Sequence, residues 1–104
     1  MAFAYNKQLS IAEDGTGTDF TVAVNPAIDI SGVDNVGYEA SIGAGAGFTA
    51  NLEASVNGNV WTVITALGSS AQGALGDHYN FARVNVSVQG AHDGSKVWIC
   101  GREV

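Results

Sequence analysis

Charge is scarce in this sequence. Asp, Glu, Lys and Arg make up 13% of its 104 residues, about half of what a globular domain usually carries. The cations Lys7, Arg83, Lys96 and Arg102 are scattered, and the formal charge is -6. A negative field without a basic patch disfavours nucleic acid and anionic lipid as partners. Cysteine occurs once, so an internal disulfide and a thiolate metal cluster are excluded. In the apolar run Val97-Trp98-Ile99-Cys100 that cysteine reads as a small buried hydrophobe. Proline also occurs once, and Asn25-Pro26 marks a place where a strand stops. No apolar run approaches the roughly 20 residues needed to span a bilayer. The start Met1-Ala2-Phe3-Ala4-Tyr5-Asn6 lacks the basic and long apolar regions of a signal peptide, so folding in a reducing cytoplasm is the expectation. Helical periodicity is missing throughout.

What is present is alternation. Ala50, Leu52, Ala54 and Val56 alternate with Asn51, Glu53 and Ser55, so one face of this strand is expected in a core and the other in water. Asn57-Gly58 follows and can supply the positive φ values of a tight hairpin turn, and a strand opening on Trp61 comes next. Similar patterns predict strands at 3–11, 20–24, 36–42, 81–88 and 96–101, with a short extended piece at 28–30. Residues 13–17, 43–47, 68–73 and 90–94 carry the turn and loop chemistry. About eight short strands with turns at this spacing predict one all-β domain over residues 1–104, a single antiparallel β-sandwich that is jelly-roll-like. The area scaling for this mass gives a folded surface of roughly 5,500 Å².

Chemistry-bearing residues are few. His78 beside Asp77 and His92 beside Asp93 are the only histidines, and neighbours in a strand point to opposite faces, so neither pair makes a site by adjacency. His92-Asp93-Gly94 reads as a turn. Residues 14–19 resemble a calcium loop in composition but lack its ligand spacing. Residues 43–47 are no phosphate cradle, since no lysine follows and no helix begins there. No nucleophile elbow is spelled. The sequence therefore predicts no enzyme, no catalytic residue, no cofactor and no metal. Trp61 and Trp98 could stack on a sugar ring, although Trp61 shares a strand face with Val63 and Trp98 lies in an apolar run, which favours core or interface roles.

The order Glu53-Ala54-Ser55-Val56-Asn57-Gly58-Asn59-Val60-Trp61-Thr62, then Phe81-Ala82-Arg83-Val84-Asn85-Val86 and Val97-Trp98-Ile99, resembles small β-sandwich virion proteins of tailed bacteriophages, including jelly-roll-like capsid decoration or cement proteins. The resemblance covers about residues 50–102. The same order, Ser-x-Asn-Gly-x-x-Trp with a later Arg-Val, also resembles discoidin-like carbohydrate-binding domains, which are longer, secreted and often disulfide-bonded. The phage resemblance implies a non-enzymatic protein made in a bacterial cytoplasm and placed on the capsid surface of the virion. Its implied partners are the major capsid protein or another virion protein, and a homo-oligomer, dimer or trimer, is expected. A tail, baseplate or fibre component and a small carbohydrate-binding module are the alternatives. Exposed loops and termini are the default contacts of a sandwich. The contact elements expected here are therefore Phe3 and Tyr5 of the N-terminal arm, Gly43, Ala44, Gly45, Ala46 and Gly47, and Ser69, Ser70 and Gln72 of the loop over 68–76.

Overall fold

The computed structural model describes residues 3–9, 19–20, 22–76, 78–92 and 94–103, and every regular element among them is a strand. In chain order these are β1 (Phe3–Leu9), β2 (Asp19–Phe20), β3 (Ala23–Val24), β4 (Ile28–Asp29), β5 (Val33–Ser41), β6 (Thr49–Ser55), β7 (Thr62–Ala66), β8 (Ala71–Ala74), β9 (Phe81–Val88), β10 (Gly90–Ala91) and β11 (Lys96–Glu103). The two larger sheets have the orders β1-β11-β5-β8 and β3-β9-β6-β7, with β4 also on β9, and β10 pairs with β2 in a separate two-stranded sheet. All pairings are antiparallel. With β3 and β4 taken as one interrupted strand, this interleaving of early and late strands is the jelly-roll arrangement. The expected all-β sandwich is what the chain forms, and its accessible surface of 5505 Å² agrees with the area scaling.

Period-2 alternation builds the core. Val97 and Ile99 of β11 and Val36 and Ala40 of β5 face Ala50, Leu52 and Ala54 of β6 and Ala82, Val84 and Val86 of β9, all buried in one cluster. Phe20 closes one end, its ring 4.7 Å from that of Phe48 and stacked on His92 at 4.4 Å. Gly90 sits beside it. A Cβ there would meet the carbonyl of Gly47 and the amide of Phe48, while the Gly47 N–H donates to the Ala91 carbonyl at 2.7 Å.

Several expectations change. The run 20–24 is two short strands, because Phe20 pairs with Gly90 whereas Ala23 and Val24 pair with Val86 and Asn85. The soft loop expected over 68–73 is partly strand: Ala71–Ala74 forms the edge strand β8 on β5. Its small exposed side chains carry no alternation to reveal it. The turn after Ser55 is wider than a two-residue hairpin, with β7 starting only at Thr62. Of its residues Gly58 alone has positive φ, 81°, and Asn57 acts through its side chain. Val56 is exposed rather than core-facing, and Glu53 and Ser55 are buried rather than wet. The turn over 13–17 lies outside the described residues but for its flank at Asp19.

Candidate functional site on the outer sheet faces

The motif that opens the second half of the chain is a self-bracing loop. Ser55 Oγ donates to the Val60 carbonyl at 2.6 Å and accepts from the Gly58 N–H at 2.9 Å. Asn57 Oδ1 accepts from the N–H groups of Asn59 and Val60 at 2.8 and 3.0 Å. The Trp61 indole N–H donates to the Gly58 carbonyl at 3.2 Å, which pins the ring over the outer face of β6 and β9. Asn57→Ala removes the acceptor for two loop amides, and a stability loss of about 1–2 kcal/mol is expected in urea unfolding.

Trp61 is therefore not a core residue. Its ring lies 3.9 Å under the Arg83 guanidinium, and Arg83 Nε donates to Glu53 Oε1 at 2.8 Å across the β6–β9 register. Asn85 Nδ2 donates to Glu53 Oε2 at 3.3 Å. The Glu53 side chain keeps only 9% of its exposure under this cover. Sequence reading missed this constellation. Its signal was present: two of the chain's few charges, opposite in sign, sit on the polar phase of two alternating strands. On either side Val24 and Val63 stand 56% and 54% exposed on the same face.

Trp98 and Cys100 are likewise on an outer face rather than in the core, because the buried phase of β11 belongs to Val97 and Ile99. Both are half-buried.

The expected contact residues fall in two places. Ser70 Oγ accepts from the Ile42 N–H at 2.9 Å, and Ser95 Oγ accepts from the Gly43 N–H at 3.0 Å. The first bond holds the 69–72 segment beside Ile42, next in sequence to the 43–47 segment, and the second ties Gly43 to Ser95, so both segments lie at one end of the four-stranded sheet. Ala44, Gly45, Gly47, Ser69, Ser70 and Gln72 are exposed there, whereas Gly43 and Ala46 are half-buried. Phe3 and Tyr5 belong to β1, paired with Glu103 and Gly101 at the opposite end. The N-terminal arm is thus a strand from Phe3 onward.

His92 stacks on Phe20 and accepts from the Gly94 N–H at Nδ1, 3.1 Å away, while His78 packs on Tyr79 with ring centroids 4.1 Å apart. Asp77 and Asp93, and residues 14–18 of the calcium-like segment, lie outside the described residues. Among the described residues no three His, Cys, Asp or Glu side chains group to hold a metal ion.

Tyr5 lines a shallow groove with Asp29, Ser31, Gly32, Val33 and Glu103. Burial, then the Glu103 and Asp29 carboxylates, raise its phenol above the ordinary 10.0. Asp29 is lowered, because the Ser31 hydroxyl and N–H both donate to Oδ1, at 2.7 and 2.8 Å. A raised phenol pKa means that the folded chain holds this proton more tightly than the unfolded chain. That contribution is complete below about pH 10 and is lost as pH rises through the folded value. Tyr5→Phe is expected to flatten the alkaline fall in Tm, read by circular dichroism across a pH series.

Comparison with protein-family models, with curated proteins and with solved structures finds no match for this chain.

Proposed function

We propose that this chain is a non-enzymatic virion protein of a phage, a decoration protein that binds the assembled head through the major capsid protein or another virion protein. The observation that carries the reading is the outer face of β9, β6 and β7. Its charges are already neutralised within the chain by the Arg83–Glu53–Asn85 network, while Val24 and Val63 are left exposed beside Trp61. Apolar side chains around a satisfied Arg and Trp suit a protein–protein contact and offer no reacting group. The 43–47 and 69–72 segments at one end of the other sheet give a second contact region, consistent with a homo-oligomer or a site spanning subunit junctions.

A protein of this kind acts by mass action. It binds the assembled shell and not the free subunits, so each occupied site adds free energy against rupture, and repeated weak contacts add through multivalency. The test is co-sedimentation with tail-free capsid shells that lack the protein. Wild-type chain should saturate at a fixed ratio to the major capsid protein, and Val24→Glu with Val63→Glu should lower retention at least tenfold. Absence of wild-type retention overturns the assignment.

A further inference from the structure

The register of the four-stranded sheet places Gln8, Trp98, Glu39 and Gln72 opposite one another on neighbouring strands, in one row across its outer face. At an interstrand spacing of about 4.8 Å the row is roughly 14 Å long. We propose that this row is a binding site for a neutral oligosaccharide, with Trp98 as the stacking platform and Glu39, Gln72 and Gln8 as hydroxyl partners. The proposal is separable from the virion reading, whose main face is the other sheet, although Gln72 also belongs to that reading's second contact region.

The two tryptophans differ in a way that selects this one. Trp61 has one ring face under Arg83 and its N–H committed to Gly58. Trp98 has neither restraint: among the described residues its indole N–H has no hydrogen-bond partner, nor do the side chains of Glu39, Gln72 and Gln8. Among the described residues a donor, a carboxylate and two amides thus stand without a side-chain or backbone partner around a half-buried aromatic ring. A depression of about 290 Å³ lies beside the row, lined by Glu39, Ser70 and Gln72. A second, of about 460 Å³, is lined by Asn35, Val36, Gly37, Gly73, Ala74 and Gly76.

The chemistry of the row narrows the ligand. Backbone donors and acceptors of β11 and β5 are spent on the sheet ladders, so an added peptide strand gains no main-chain bonds on this face. A pyranose offers what the row lacks: an apolar C–H face for the indole, and hydroxyls that donate to Glu39 and both donate to and accept from the glutamine amides. The Glu39 carboxylate and the net charge of -6 turn away anionic sugars and phosphates.

The experiment is a nuclear magnetic resonance titration of the full chain with cellohexaose, maltohexaose and chitohexaose. With at least one of them the indole N–H of Trp98 and the side-chain amide of Gln72 should move saturably, while the indole of Trp61 stays fixed. Trp98→Ala should abolish the response, and Glu39→Gln, an exposed change that leaves the core untouched, should weaken it about tenfold. If no sugar moves the Trp98 resonance, or if Trp98→Ala still responds, the site is refuted. Movement by an unrelated extended peptide with no response to sugar would make the face a protein contact and refute it equally.

Discussion

Arg83→Ala is expected to lower the unfolding free energy by about 3 kcal/mol, a fall in Tm of roughly 15 °C for a chain of this size. The guanidinium covers the Trp61 ring at 3.9 Å and bonds Glu53 at 2.8 Å. Removing it takes away the cover under which the Glu53 side chain is 9% exposed and leaves Asn85 as the remaining side-chain partner of the carboxylate. Desolvation without compensation makes the single change costly, more than the pair is worth. Arg83→Met combined with Glu53→Leu should therefore be less damaging than Arg83→Ala alone, since no charge is then stranded. Urea unfolding of the three variants reads this directly. A loss below about 1 kcal/mol for Arg83→Ala would show that water reaches Glu53 freely.

Gly90→Ala should be at least as severe, about 3 kcal/mol or more, for a steric reason. The added methyl would run into backbone atoms of Gly47 and Phe48, which have no rotamer to escape into. Separating the segments also pulls Phe48 from Phe20 and breaks the Gly47 to Ala91 hydrogen bond. Gly47→Ala is the control from the other side of the same contact. A Cβ on Gly47 meets nothing within 4 Å, and that variant should unfold within about 0.5 kcal/mol of the parent. Equal effects at the two positions would mean that the close approach between them is absent in solution.

How legible each part was depends on whether its side chains carried a pattern. β5 and β9 alternate, and Val36, Ala40, Ala82, Val84 and Val86 are buried where the period places them, whereas Val88 at the end of β9 is 52% exposed. β8 is Ala-Gln-Gly-Ala, and a strand without large side chains has no phase to read. The small residues of 43–47 allow either a flexible connection or a close backbone approach, and the structure shows the approach, though the residue that demands glycine is its partner, Gly90. Of the core or interface roles that the sequence favours for the tryptophans, the structure overturns the core one. In a chain with so few charges both phases of β7 and β11 contain apolar residues, and choosing the face is a one-residue decision. For Trp61 the choice was settled by Ile64, displaced inward where the β6–β7 register shifts, so that Val63 and Trp61 turn outward over Glu53. Such a shift leaves no mark in local composition. The cross-strand partners of Trp98 on β1, β5 and β8 are set by pairings between distant segments, which no window of sequence displays.

Strand order also dictates when each part can form during synthesis. Only β6 and β7 are consecutive strands that bond to each other among the described residues; every other ladder joins segments well separated along the chain. That hairpin can close as soon as it leaves the ribosome, whereas β5 at first lacks both its neighbours. β1 is translated first yet bonds to β11 alone, translated last among the described strands. Until residues 96–103 emerge, the first strand has no partner among the described residues, so the four-stranded sheet waits for β11 to leave the ribosome.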